Sequence, residues 1–116
     1  MIKQIQILQV NEKAENGRYI MFSGLDFINE MGLNLSIDAY KQVYDGEITT
    51  SNDDTIDILD DIYCDFNIRR PEDFKGHSLS TSDMVKMDGK YYFCDSYGWE
   101  EMKLSYTSNG WGFVKA

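Results

Sequence analysis

The residues with the most recognisable chemical potential lie in the stretch G-H-S-L-S-T-S-D, which runs from Gly76 to Asp83. It contains the single histidine of the chain, His77, together with three serines and a carboxylate. A hydrolytic triad needs a serine, a histidine and a carboxylate that meet in space, with hydrogen-bond donors for the oxyanion. His77 with Ser80, Ser82 or Asp83 is therefore one candidate for catalysis.

The same stretch also has a structural interpretation. Adjacent side chains on an extended backbone point to opposite faces, so His77 is poorly placed to activate Ser78. The sequence contains no G-x-S-x-G elbow. The alternative is an ordered loop whose proline ends a helix, whose apolar side chains enter the core, whose glycine permits an unusual backbone angle, and whose hydroxyl groups bond to nearby main chain. The residues concerned are Pro71, Phe74, Gly76 and Leu79. We favour this interpretation and predict a protein that is not an enzyme.

Composition and charge exclude several classes of function. The 116 residues, 42% hydrophobic and 14% aromatic, are typical of one folded domain spanning residues 1–116. Twenty acidic residues outweigh eleven basic ones, and the net charge is −9. Direct binding to nucleic-acid phosphates requires a basic surface, so we expect none. No long apolar run predicts a membrane helix and no signal peptide is evident, so we expect a cytoplasmic protein.

The metal-ligating residue types are sparse. Cys64 and Cys94 are far apart in the sequence and are expected to be reduced thiols, with Cys64 exposed. One histidine and two distant cysteines do not match the ligand spacing of a zinc site. We therefore predict no metal and no cofactor.

The candidate residues must be positioned by an α+β fold, a mostly antiparallel sheet with two helices packed on it. Alternating apolar residues predict a first strand in IKQIQILQV, which should pair in a hairpin with a second strand in RYIMF. A third strand is predicted from Tyr40 to Tyr44, ended by Asp45-Gly46. The strands MVKM and KYYFC should form a hairpin around Asp88-Gly89, a strong signal for a two-residue turn.

Two further elements complete the sequence prediction. Ser23 is placed to cap a short helix through LDFINEM, which Gly32 should close. A last hairpin around Asn109-Gly110 would use the C-terminal tail. Whether residues 103–116 belong to the core stays open at this point.

The second helix, predicted from Asp53 to Asn67, is the least ordinary feature of the sequence. On a helical wheel, Ile56, Ile58, Leu59, Ile62, Tyr63 and Phe66 share one side. The opposite side carries six aspartates, called the acidic face below: Asp53, Asp54, Asp57, Asp60, Asp61 and Asp65. Like charges at these spacings cost roughly 0.2–0.5 kcal/mol per pair. The face carries about one charge per 3–4 Å of helix, close to the spacing of about 3.4 Å between phosphates of a DNA strand. The alternative explanation of these aspartates is an ordinary helix face exposed to solvent.

A second candidate surface follows the helix. Arg69 and Arg70 lie just past its end, where positive charge suits the helix dipole. With His77 and Ser80 they would form a contact surface on the loop and the hairpin that follows it.

The region from Ile58 to Met102 resembles the YodL-like domain family. The resembling features are the helix end I-x-x-x-F-N, the string R-P-x-D-F-x-G-H-S-L-S-x-S-D, and a hairpin with Y-x-x-D-S-x-G-x-x-E. Residues Leu25 to Ile48 match more loosely, and the tail SNGWGFVKA lies outside the pattern. The resemblance implies a setting in bacterial mobile DNA, where small free-standing proteins are often counter-defence factors. It implies no catalytic residue.

These observations lead to three hypotheses. The first is a non-enzymatic anti-CRISPR inhibitor, acting in the host cytoplasm, whose acidic face binds a basic nucleic-acid-handling protein. A CRISPR effector nuclease is the first expected target and a restriction enzyme the second, because such proteins hold nucleic acid in positive channels. The second is an adaptor of the element's own transfer or replication machinery, with Arg69, Arg70, His77 and Ser80 at the contact. The third is an enzyme that uses His77.

Overall fold

The computed structural model describes residues 1–108 and 110–116. Within them, one antiparallel sheet has the strand order β2-β1-β3-β4-β5-β6. Its strands are β1 (Ile2–Val10), β2 (Tyr40–Thr49), β3 (Met84–Met87), β4 (Lys90–Asp95), β5 (Gly98–Thr107) and β6 (Gly110–Lys115). The helices are α1 (Gly17–Ile20), α2 (Leu25–Glu30) and α3 (Thr55–Ile68), with a 3-10 turn at Ile37–Ala39. The predicted α+β class, a single domain with a mostly antiparallel sheet, is confirmed.

The helices cover opposite faces of the sheet, because the central strands carry apolar residues on both sides. Ile5 and Ile7 of β1 join the core that α3 covers, while Val10 of the same strand joins the core over α1 and α2. The first core is Ile5, Ile7, Val43, Ile58, Leu59, Ile62, Phe66, Phe74, Leu79, Val85, Met87 and Tyr92. The second is Val10, Ile20, Leu25, Ile28, Leu35, Ala39, Met84, Phe93, Met102 and Phe113.

The hairpin prediction is confirmed where turn residues specify it. β3 and β4 pair around Asp88-Gly89, with φ of 53° and 78°, the left-handed values that a two-residue turn of this kind requires. β5 and β6 form the last hairpin through Thr107 and Gly110. Asn109, named in that prediction, lies outside the described residues. The tail strand β6 extends the sheet through its pairing with β5.

The prediction that RYIMF forms a strand is wrong. Residues 17–20 form the helical turn α1, and the partner of β1 is β2. Because residue 17 is a glycine, the chain can make a tight turn here, in which a Cβ would lie 2.2 Å from the carbonyl oxygen of Asn11. The chain therefore folds tightly back on itself after β1. It buries Ile20 and leaves Tyr19 and Phe22 exposed.

Two element boundaries also differ from the predictions. Asp45-Gly46 does not end β2, which continues to Thr49 because its second half pairs with the first half of β1. Ser23 does not cap α2. Its hydroxyl donates to the carbonyl of Tyr19, and the carboxylate of Asp95 on β4 accepts from the N–H of Leu25 instead.

In residues 1–108 and 110–116, no helix has both the length and the apolar composition needed to cross a bilayer.

Candidate functional site

The acidic face is exposed along α3. All six aspartates of that face are solvent-exposed, and four apolar residues of the opposite side are buried: Ile58, Leu59, Ile62 and Phe66. Ile56 and Tyr63, placed on the same apolar side by the wheel, remain 45% and 37% exposed because they lie at its margin. The predicted helix is confirmed, although it begins at Thr55, with Asp54 as its N-cap.

Several carboxylates of the acidic face also have structural partners. Asp60 accepts a hydrogen bond of 3.0 Å from the indole Nε1 of Trp99 on β5. Asp61 accepts from the side-chain amide of Asn52, and Asp65 forms an exposed ion pair of 3.1 Å with Arg69. These contacts are at the surface, and all three aspartates remain solvent-exposed. They fix the position of the negative charge relative to the sheet.

Asp54 is a helix cap in addition to a candidate contact. Its Oδ1 accepts from the N–H groups of Ile56 at 2.9 Å and Asp57 at 3.2 Å. We expect Asp54→Ala to lower the free energy of unfolding by about 1 kcal/mol, the usual cost of losing an N-cap. The neighbouring Asp53→Ala, which removes the same charge without a cap, should change it by less than about 0.5 kcal/mol. Urea denaturation of both variants measures this. Equal losses would contradict the assignment of Asp54 as the cap.

The structure separates Arg69 from the other residues of the second candidate surface. Arg69 turns back to Asp65 and belongs with the acidic helix. The Arg70 guanidinium donates to the Ser78 hydroxyl at 2.7 Å and lies 5.4 Å from the centre of the Phe74 ring. The Ser80 hydroxyl donates to the carbonyl of Ser78. Ser78 and Ser80 therefore lie together in the loop of residues 71–83, called the polar loop below, and Arg70 contacts this loop from the residue just before it.

Two amide side chains, buried Gln9 and partly buried Asn67, hold the polar loop against the sheet and α3. Gln9 on β1 donates from Nε2 to the carbonyl of His77 at 2.9 Å and accepts at Oε1 from the His77 N–H at 3.2 Å. Asn67 makes the same two-way contact with Leu79, at 2.6 and 3.2 Å. Buried Phe74 and Leu79 anchor the loop in the first core, as predicted.

Gly76 has a different role from the one predicted. Its φ is not among the positive values of the chain, so no unusual backbone angle is required. A Cβ at this position would instead lie 2.0 Å from Oε1 of Gln9. The glycine is needed for the space that the buried Gln9 side chain occupies.

The geometry assigns the tautomer of His77. Its Nδ1 lies 2.7 Å from the carbonyl oxygen of Ser78, which can only accept, so Nδ1 carries the proton. The two amide hydrogens of Gln9 are directed to the His77 carbonyl and to Asp83, so the 3.3 Å contact between Gln9 Nε2 and Nδ1 is not a hydrogen bond. Nε2 is therefore a hydrogen-bond acceptor. It is buried and without a partner among the described residues.

The candidate serine hydroxyls bond elsewhere. The Ser82 hydroxyl accepts from the N–H of Phe22 at 3.0 Å, and that of Ser80 reaches the carbonyl of Ser78. In the part of the chain that the structure describes, neither hydroxyl is hydrogen-bonded to His77, and no triad is assembled. The same described residues contain no group of three His, Cys, Asp or Glu side chains that could hold a metal ion.

Asp83 is the buried ionisable group of the polar loop, with 1% of its surface exposed. Its Oδ2 accepts from the N–H of Ser80 at 2.8 Å and from Gln9 Nε2 at 3.1 Å. Burial raises the pKa of Asp83 to about 6, and the opposing effects of the Ser80 hydrogen bond, of His77 in its protonated form and of the Gln9 hydrogen bond are smaller. Burial likewise raises the pKa of the nearby Cys94 thiol to about 12, so Cys94 is not a nucleophile.

The raised pKa of Asp83 predicts a pH dependence of stability. The folded state binds this proton more tightly than the unfolded chain, so the stabilisation is present at low pH and is lost as the pH rises through about 6. Between about pH 7.5 and 4.5, the wild type should gain about 2 kcal/mol over Asp83→Asn, which cannot titrate. Urea denaturation of both proteins at the two pH values measures the difference. A constant difference would show that Asp83 is not protonated in this range.

Two residues of this site were missed by sequence reasoning. Gln9 follows Ile5 and Ile7 at a spacing of two, which places it on the same buried face of β1, and that signal was available. Phe22 has no comparable signal. It adopts a left-handed φ of 66° and its ring packs against His77 at 5.4 Å.

The fold and the loop together define an α+β domain in which the side-chain amides of Gln9 and Asn67 hold a G-H-S-L-S-x-S-D loop between α3 and β3. The chain belongs to the YodL-like domain family, whose sequence pattern matches residues 4–104. The match includes β1, which the resemblance had not covered, and ends within β5, so β6 lies outside it. No curated protein and no solved structure matches the chain.

Proposed function

We propose that the protein is a non-enzymatic counter-defence factor of a bacterial mobile element, an inhibitor of an RNA-guided nuclease in the host cytoplasm. It binds the basic nucleic-acid channel of that protein with its acidic face. The observation that carries the proposal is the row of six exposed aspartates, of which Asp57, Asp60, Asp61 and Asp65 lie on α3 and Asp53 and Asp54 directly precede it. A restriction enzyme is the second target class, for the same electrostatic reason.

The energetics of α3 support a binding role. The helix keeps like charges at adjacent turns, which costs stability in isolation. Arg69 is the only cation paired with an acidic-face carboxylate in the described part of the chain, and that pair is exposed. Trp99 and Asn52 hold Asp60 and Asp61 in fixed positions. A rigid row of negative charge is complementary to a channel that binds phosphates, and such complementarity raises association rates.

Membership of the YodL-like domain family supports the proposed setting. The resemblance to this family implies bacterial mobile DNA, where small free-standing proteins are often counter-defence factors. The net charge of −9 directs the proposal to a basic protein partner and away from nucleic acid itself.

The second candidate function is an adaptor of the element's transfer or replication machinery. The observation in its favour is the exposed aromatic ring of Phe22 beside the polar loop, held in a left-handed conformation. Backbone strain of this kind is concentrated at functional sites. Here the contact surface would be Phe22 with Arg70, His77 and Ser80.

Affinity capture tests the two functions against each other. The tagged protein is incubated with lysate of a host that contains CRISPR and restriction systems, and the bound proteins are identified by mass spectrometry after washes at low and high salt. The proposal expects a basic nuclease that is lost at high salt, because exposed charge pairs are screened. Purified nuclease should then lose nucleic-acid binding when the protein is added. A salt-resistant partner from the transfer apparatus would replace the first function with the second.

A further inference from the structure

The unused acceptor of His77 is a feature that neither the acidic face nor the packing of the loop explains. The Nδ1–H of the imidazole is committed to the Ser78 carbonyl, and Nε2 is buried without a partner in the described residues. Buried acceptors are normally hydrogen-bonded, so an orphaned one calls for an explanation. The main chain of His77 is held in place by its two hydrogen bonds with Gln9.

Phe22 is placed as a cover on this imidazole. Its ring is tilted by 57° to the imidazole at a centroid distance of 5.4 Å, and 59% of Phe22 remains exposed. Its left-handed backbone is held by one hydrogen bond, from its N–H to the hydroxyl of Ser82, which is itself at φ 84°. A left-handed φ is unfavourable for a bulky residue, so the surrounding contacts must hold the Phe22 backbone in this conformation.

The electrostatic surroundings select a cationic ligand. Asp83 is linked to the imidazole side of the loop through Gln9, whose Nε2 donates to the Asp83 carboxylate. Arg70, which precedes the loop, is engaged by the Ser78 hydroxyl and the Phe74 ring. A neutral acceptor nitrogen near an ionised carboxylate favours a hydrogen-bond donor that carries positive charge.

We propose that His77 Nε2 anchors a binding site, covered by Phe22 in this conformation, for a guanidinium group such as a partner's arginine side chain. Displacement of the Phe22 ring exposes Nε2, which accepts an N–H of the guanidinium, while Asp83 supplies the compensating negative charge. The site is separate from the acidic face. It gives the protein a second contact with a basic partner. The proposed guanidinium site does not depend on whether that partner is a nuclease.

The single histidine makes the test unambiguous. Nitrogen-15 NMR of the His77 side chain is recorded near pH 8 while ethylguanidinium chloride is added. N-ethylurea, an uncharged compound of similar shape, and sodium chloride are the controls. Before any addition, the spectrum should show the tautomer with a bare Nε2. Ethylguanidinium should then move the Nε2 signal in a saturable manner, ethylurea much less, and sodium chloride not at all.

Two variants test separately the role of the Phe22 ring as a cover and the role of the negative charge of Asp83. Phe22→Gly removes the ring and accepts a positive φ without strain, so it should bind ethylguanidinium about tenfold more tightly, because a larger fraction of molecules is open. Asp83→Asn keeps an acceptor for Ser80 and Gln9 but removes the charge. It should reduce ethylguanidinium binding to the level of ethylurea.

The proposal is overturned by a spectrum with the proton on Nε2, by the absence of a saturable shift in the wild type, or by equal effects of ethylguanidinium and ethylurea. Amide spectra establish whether each variant is folded. If Phe22→Gly does not fold, the wild-type titration and Asp83→Asn still decide the outcome.

Discussion

Reversal of four aspartates on α3 to lysine is expected to weaken binding to the target nuclease by at least about 100-fold. The substitutions are Asp57→Lys, Asp60→Lys, Asp61→Lys and Asp65→Lys. Each changes the charge by two units, so the net charge rises from −9 to −1. A row of lysines would be repelled by a positive channel, which lowers the association rate and removes the bound contacts. Competition binding against the nuclease's own nucleic acid measures the loss.

A matched control variant separates the position of the charge from its amount. Four other exposed acidic residues lie away from α3: Glu12, Glu15, Asp26 and Glu30. Their reversal to lysine gives the same net charge of −1 but leaves the acidic face intact, so binding should fall by less than about tenfold. Both variants should remain folded, because exposed charges and ion pairs contribute about 1 kcal/mol or less each. Equal losses in the two variants would show that binding follows net charge and would remove the acidic face as the site.

The acidic face could be predicted from sequence because its information is local. In α3 the buried residues Ile58, Leu59, Ile62 and Phe66 recur at helical spacing, and this alone sets which side faces solvent. The hairpin around Asp88-Gly89 is likewise specified by its own turn residues. Such elements need no knowledge of distant parts of the chain.

The polar loop could not be assembled from sequence because its contacts join distant segments. Gln9 and His77 are 68 residues apart, and Leu25 is capped by Asp95 from 70 residues away. RYIMF has the composition of a strand, but Gly17 lies in a tight turn against Asn11 and residues 17–20 form α1. Tertiary contacts override local propensity at these positions.

The G-H-S-L-S-x-S-D string is thereby explained mainly by the requirements of the fold. Its glycine leaves room for Gln9, its leucine enters the core, and its aspartate accepts two buried hydrogen bonds. What the fold leaves unexplained is the bare Nε2 of His77 and the strained Phe22 beside it. Most residues of the G-H-S-L-S-x-S-D string are therefore required by the fold, and Nε2 of His77 is the feature that the proposed binding site would use.

The largest loss of stability from a small change is expected at Gly76. The methyl group of Gly76→Ala would overlap Oε1 of Gln9, whose side chain is fully buried. Gln9 cannot move away without breaking its bonds to the His77 backbone and to Asp83. Overpacking and the loss of these buried bonds together should cost about 3 kcal/mol, which is a large share of a typical stability of about 5–15 kcal/mol. Urea denaturation measures the loss.

The double variant identifies the cause. Gln9→Ala removes the atoms that the new methyl group would meet, so Gly76→Ala should cost about 2 kcal/mol less in that background than in the wild type. Gly89→Ala is the control for backbone strain alone, since a Cβ there meets nothing within 4 Å and φ is 78°; its cost should be about 1 kcal/mol. If Gly76→Ala is equally costly with and without Gln9, the glycine serves the loop backbone itself. The hydrogen bonds of Gln9 to the polar loop would then be a consequence of the loop conformation and not its cause.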